Sequence, residues 1–385
     1  MVGRTLGTTV LGVALVATAC GGGGKTTASP RRPNARSATT TSGPTSCARP
    51  SSPTPSGPVI RVRGQDRDGT AIAISVSQFP SPDHPGLAKA ALLASDANYP
   101  DALAGAPLAI AKDGPLLLTA PSGLNPAVAD ELVRVAPKGA TVYLLGGPAA
   151  LDPSIDERVR ALGYVPQRVA GPNRFATAVT IANALGDPHE IIEASGRQFA
   201  DALSAGAAAR RTPRPDIHTG TGAVLLTNGG AQAPETAAYL GAHKTDTVVA
   251  VGGPAAAADP RATPIVGPDR YATAVMVAQH FFTTPNPGYP EHPNKFLTPG
   301  NLAFASGVTF ADALSGSADT RNGSPMLLVP PCGPLPLSLA AYLSSIRANR
   351  ISSSDQGEGG VLYGGVQAVG DDVLRQIEAA VAAPG

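Results

Sequence analysis

Three short phrases recur in the same order three times along the chain. The first is a Gly-x-[Asn/Asp]-Arg-x-x-Thr-Ala box, at Gly64–Ala71, Gly171–Ala178 and Gly267–Ala274. The second sets an Asp six residues after a Ser and just before Ala-Leu: Ser95 and Asp101, Ser195 and Asp201, Ser306 and Asp312. The third is an apolar run ending in Gly146-Gly147, Gly252-Gly253 and Gly364-Gly365. Triplication in a fixed order makes the chain an array of three related units. The boxes start 107 and 96 residues apart. That spacing exceeds the roughly 20–50 residues of a solenoid repeat, and each unit is large enough to bury a core of its own.

What precedes the first box has a different character. Arg4 is followed by an apolar run from Leu6 to Ala19 and then Cys20. The run is too short to span a bilayer and suits the core of a signal peptide. Val16-Ala17-Thr18-Ala19-Cys20 resembles a bacterial lipobox, with Ala17 where Leu is usual. Lipidation of Cys20 and a plain secretory signal cut near Ala19 both fit, and the glycines after Cys20 favour a flexible lipid-anchored tether. Residues 21–58 are rich in Gly, Ser, Thr and Pro without apolar periodicity, which predicts a disordered tether. If Cys20 carries lipid, Cys47 and Cys332 remain as a candidate disulfide in an oxidising setting.

Within a unit, short apolar strands alternate with helices. In the first, the sequence predicts a strand at Ala91–Ala94, a helix opening at Asp101, and a strand at Pro115–Thr119. A helix at Pro126–Val135 capped by Asn125, a strand at Thr141–Leu145 and a helix near Pro153–Leu162 follow. This is an α/β pattern with a parallel sheet covered on both faces. The second unit has lost most of its last helix and gained an insertion bearing Arg210, Arg211 and Arg214; the third carries a Pro-rich insertion at about residues 283–300.

These phrases resemble the type 2 cell-wall-binding repeat of Gram-positive surface proteins. The carrying residues are the Gly-x-[Asn/Asp]-Arg-[Phe/Tyr]-x-Thr-Ala boxes at 171 and 267, and Phe199–Ser204 with Phe310–Ser315. The Pro-[Leu/Met]-Leu-Leu strands at 115 and 325 and the Gly-Gly ends complete the set. The resemblance covers residues 59–385. It implies three tandem α/β modules of Toprim-like fold in a pseudo-threefold arrangement, with the Pro-x-Leu-Leu strands near its centre, and retention on an anionic wall polymer. The expected organisation is a signal peptide at 1–20, a tether at 21–58 and repeats at 59–165, 166–262 and 263–385. The first repeat departs most: Asp68 and Gly69 replace the aromatic-Ala pair, and Asp96 replaces a Gly.

Several residue types recur with the phrases. Arg67, Arg174 and Arg270 suit an anionic ligand through the planar fork of guanidinium, with Asn173 and Asp269 beside them. They equally suit ion pairs with the repeated acids: Arg67 with Asp101, Arg174 with Asp201, Arg270 with Asp312. Those three acids are expected in the first turn of a helix, where free N–H groups stabilise a carboxylate. Ser95, Ser195 and Ser306 end strands, but no Gly-x-Ser-x-Gly elbow or recurring His accompanies them. The six His residues, 84, 189, 218, 243, 280 and 292, lack metal-ligand spacing. No phosphate-cradling Gly motif is present. Arg210, Arg211 and Arg214 read equally as a solvated loop or as a polyanion contact. No metal or other cofactor is expected. A net charge of +1 gives no reason to invoke nucleic acid. Absence of Trp and an aromatic content of 4% weaken a lectin that stacks sugars on rings. The expectation is a non-enzymatic, monomeric, exported protein, anchored to the membrane through lipid and bound to an anionic wall polymer; the alternatives are an envelope hydrolase or transferase that uses the repeats themselves, and a scaffold lipoprotein for another envelope protein.

Overall fold

The computed structural model describes residues 58–80, 88–186, 188, 190–209, 222–243, 247–282, 284–285, 296–297, 301–319, 324–349 and 359–382. All belong to one unit, Cys47–Gly385. Cys20, Cys47, most of the tether, the Arg210, Arg211 and Arg214 cluster and most of the Pro-rich insertion lie outside the described residues. Cys332 is disulfide-bonded.

The elements run β1 (Val59–Val62), α1 (Arg67–Gln78), β2 (Ala90–Ser95), α2 (Gly105–Ala111), β3 (Leu116–Thr119), α3 (Pro126–Val135), β4 (Thr141–Leu145) and α4 (Pro153–Ala161). Next come β5 (Val165–Val169), α5 (Arg174–Leu185), β6 (Glu190–Ser195), α6 (Ala200–Ala208), β7 (Ala223–Thr227), α7 (Pro234–Ala242), β8 (Thr247–Val251) and α8 (Gly253–Ala258). The last part holds β9 (Thr263–Ile265), α9 (Arg270–Phe282), a small antiparallel ribbon of β10 (Thr284–Pro285) and β11 (Phe296–Leu297), β12 (Ala303–Ser306), α10 (Ala311–Ala318), β13 (Met326–Val329), α11 (Leu337–Asn349), β14 (Gly360–Tyr363) and α12 (Asp371–Val381).

Three four-stranded parallel sheets result, with orders β3-β2-β4-β5, β7-β6-β8-β9 and β13-β12-β14-β1. The fourth strand of each sheet is the strand that leads into the next box. For the third sheet that strand is β1, from the start of the described chain. Sequence repeat and structural sheet are therefore offset by one strand, and β1 closes the three modules into a ring.

Alternation along the edge strands builds two kinds of core, since successive side chains point to opposite faces. Leu116 and Leu118, Val224 and Leu226, and Met326 and Leu328 enter one core shared by all three modules. Leu117, Leu225 and Leu327 enter separate outer cores. The shared core is lined by small residues of α2, α6 and α10. A Cβ on Gly206 would meet the Ala106 Cβ at 3.3 Å and the Ser317 Cβ at 3.8 Å, so residues of all three axial helices meet there. Ser317 Oγ also donates to Leu203 O at 3.0 Å across the junction. Close approach of backbones at the axis is why this array needs so many Ala and Gly residues.

The outer helices follow the sequence expectations. Asn125 caps α3 by accepting from the Ala127 N–H at 3.0 Å, with Pro126 at the first position. In the second module α8 is a short remnant, against nine residues in α4 and eleven in α12. One local expectation changes: Asp101 lies in a turn ahead of α2, which begins only at Gly105. Asp201 and Asp312 do occupy first turns, yet no side chain caps α6 or α10. First-turn placement thus holds for Asp201 and Asp312 and not for Asp101.

Candidate functional site

The three phrases of each unit converge at the carboxyl ends of the sheet strands. The box forms the entry to a helix. Asp66, Asn173 and Asp269 accept from first-turn N–H groups at 2.8–3.0 Å, as good N-caps do. The box Gly N–H donates to the box Thr Oγ1 at 3.0–3.1 Å in all three. A Cβ on Gly64, Gly171 or Gly267 would fall 2.0–2.5 Å from atoms of the following turn. Gly267→Ala should accordingly cost about 1–3 kcal/mol, as overpacked sites do, in chemical denaturation. Gly147→Ala, with nothing within 4 Å, should leave stability unchanged.

The box arginines are used identically. Arg67 donates to Asp96 O at 2.5 Å, Arg174 to Gly196 O at 2.6 Å and Arg270 to Gly307 O at 2.5 Å. Each acceptor follows the strand-ending Ser of the second phrase. Those serines accept from N–H groups two residues on, at 3.2–3.3 Å, which makes them turn formers.

The expected ion pairs within each repeat do not form. No pair within 4.0 Å joins Arg67 to Asp101, Arg174 to Asp201 or Arg270 to Asp312. Arg67 and Arg270 face acids across the module junctions instead. Burial pushes the Asp201 carboxyl up to about 6, and the opposing charge is Arg270 of the third module. Burial likewise raises Asp312, opposed by Thr70 and Arg67 of the first. The cause is topological: each box helix packs against the second-phrase helix of the preceding module, α9 on α6, α5 on α2 and α1 on α10.

The third phrase completes the arrangement. Gly146, Gly252 and Gly364 have φ of 103°, 87° and 110°, a region that only glycine enters freely. Their N–H groups donate to Val169, Ile265 and Val62 O at 2.9 Å, on the incoming fourth strands. A Cβ there would lie 3.0, 2.0 and 2.6 Å from an Oδ2 of Asp101, Asp201 and Asp312. The repeated acid thus packs against this glycine turn in every module.

At the axis the sequence reading had missed a cluster. Tyr99, Phe199 and Phe310, each two residues before the repeated Asp, form a triangle with centroids 5.5, 5.3 and 6.2 Å apart. Arg67 Cζ lies 6.0 Å from the Phe310 centroid and Arg270 Cζ 5.8 Å from that of Phe199, within cation–π range. All three rings are half-buried. Fixed spacing from the Asp was the available signal. A second missed pair stands three residues before a box Gly. Arg61 donates to Gly364 O and to Asp371, and Arg168 donates to Gly146 O at 2.9 Å and to Asp156. The second junction has Pro264 at this place and no such contact.

Known proteins share this arrangement. Cwp8 from Clostridium difficile superposes with a TM-score of 0.66 at 22% identity, over 84% of this chain and 51% of that one. Cwp6 from the same organism gives 0.65 at 19%, over 85% and 49%. At that identity the likeness concerns the fold. The N-acetylmuramoyl-L-alanine amidase LytC of Bacillus subtilis is 28% identical over 271 residues, 69% of this chain and 50% of the relative. An amidase enhancer of the same organism is 28% identical over 144 residues, 37% and 19%. The chain spans half or less of the length of these curated relatives. The cell wall binding domain 2 family matches residues 61–156, 168–260 and 265–374, one match for each turn of the ring. With three tandem matches over most of its length, the chain belongs to the cell wall binding domain 2 family.

Proposed function

We propose that this protein is a non-enzymatic binder of an anionic wall glycopolymer, exported and held at the membrane through lipid on Cys20. It acts as a monomer whose three modules serve as one multivalent surface. The carrying observation is the junction, where a box guanidinium lies over a half-buried aromatic beside a carboxyl group: Arg67 over Phe310 by Asp312, and Arg270 over Phe199 by Asp201. Each box Arg gives one N–H to a strand-end carbonyl, and the rest of its fork suits phosphate or carboxylate. Contacts that are weak singly add through effective concentration. No helix among the described residues is long and apolar enough to cross a membrane. The Arg210, Arg211 and Arg214 insertion is a second basic contact in this reading.

The full chain should sediment with purified Gram-positive sacculi at low salt and be released when the anionic polymer is stripped from them. Equal sedimentation with stripped sacculi would sink the polymer as ligand. Failure to sediment with either would sink the binding role.

A further inference from the structure

We propose that Asp68 and Asp96 make the junction between the third and first modules a non-binding member of the ring, leaving wall polymer to be held at the other two. This rests on the binding reading above. In the second and third modules the residue after the box Arg is aromatic, and the residue after the strand-ending Ser is Gly. A Cβ on Gly196 would lie 2.8 Å from Phe175 Cε1, and one on Gly307 would lie 2.6 Å from Tyr271 Cε1. Each ring lies against the strand end, so ring and glycine require each other.

The first module has replaced both partners together. With the ring gone, position 96 has room for a side chain, and both substitutes are acids. Asp68 is 5% exposed; its Oδ2 accepts from Asn125 Nδ2 at 2.9 Å and its Oδ1 has no partner. Burial raises its carboxyl, and Asp96 and Asp66 raise it further. Arg67 thus stands among Asp66, Asp68 and Asp96 of its own module and faces Asp312 across the junction. At the position of Asp68 the other modules have Phe175 and Tyr271, while the position of Asp66 is Asn173 in the second and Asp269 in the third, so the acids particular to the first module are Asp68 and Asp96. Like charge set against a polyanion is how an interface rejects a ligand. The strand-end bond of Arg67 is kept, so the junction retains its structural function while losing its attraction for anions.

The test is retention of the full chain on purified sacculi along a salt gradient, for the unaltered protein, for Asp96→Asn and for Asp68→Phe/Asp96→Gly. Asp96→Asn keeps the side chain's shape and should tighten retention roughly twofold to fivefold, the worth of one exposed charge contact. The double variant rebuilds the ring-on-glycine arrangement and should tighten it by roughly tenfold or more through a third point of attachment. Unchanged or weaker retention of Asp96→Asn at an unchanged melting temperature would overturn the proposal, whether or not the double variant folds. An unaltered chain that is not retained at low salt strikes instead at the binding reading.

Discussion

Arg61→Met should destabilise the third module by about 3–5 kcal/mol, the usual cost of removing one partner from a buried ion pair. Arg61 and Asp371 side chains are 4% and 6% exposed, with Nη2 to Oδ1 at 3.0 Å. Nη1 also donates to Gly364 O at 3.0 Å and Val369 O at 2.9 Å. Burial lowers the pKa of this guanidinium, and Asp371 works against that. Met would fill the space but leave a buried carboxylate and two carbonyls without their donor. The bond also joins opposite ends of the described chain, because β1 is the closing strand of the third sheet and Asp371 opens α12. Hydrogen exchange should therefore quicken in β14 and α12 and stay slow in β2 and β4. Uniform acceleration across all three modules would show that the ring fails as a whole. No acceleration would show that β1 closes nothing.

Glu193→Gln should reduce the pH dependence of stability and leave the variant up to about 3 kcal/mol more stable than the unaltered chain at pH 8. Glu193 is wholly buried on the central strand of the second sheet. Its Oε1 accepts from Gln232 Nε2 at 2.6 Å, and its Oε2 has no partner. Burial pushes the carboxyl up to about 7; Gln232 and Arg261 oppose the rise, and Asp259 adds to it. The Asp259 carboxylate is itself held by Arg261 at 3.2 Å. A carboxyl whose folded pKa lies above its unfolded value binds more protons when folded. Its stabilisation is complete below about pH 4.5 and is lost as pH rises through about 7. Unfolding midpoints at pH 5 and pH 8 decide the matter: the unaltered chain should lose stability between them and the variant should lose clearly less, the remainder coming from groups such as Asp201. A flat profile for the unaltered chain would refute the assignment.

That Glu193 stands where it does follows from the shortened last helix. The same position, two residues before the strand-ending Ser, is Leu93 in the first module and Phe304 in the third, both fully buried. Leu93 packs in a core with Ile155 and Val159 of α4, and Phe304 with Val373 and Ile377 of α12. In the second module the counterparts are Ala255 of α8 and Ala262.

Much of this was legible in the sequence. The repeats gave three modules, the apolar runs gave their parallel strands, and Asn125-Pro126 marked a helix start to the residue. The outer cores were legible because period-2 alternation is a local signal. The wiring of Arg67 and Arg270 was not, because a repeat suggests pairing within a unit, whereas each box helix leans on the module before it. The axial triangle of Tyr99, Phe199 and Phe310 escaped for a related reason: one ring per repeat looks like an ordinary core residue until three are brought to one axis. The role of β1 escaped because it pairs with a strand some 300 residues away.

That pairing leaves the molecule without an intrinsic beginning. Each joint between a third and a fourth strand keeps the same glycine N–H to carbonyl bond, whether the chain runs from one strand to the other covalently or, as between β14 and β1, meets itself there by strand pairing alone. A repeat added or lost would have to be accommodated by every junction around the circle, not only at the site of the change.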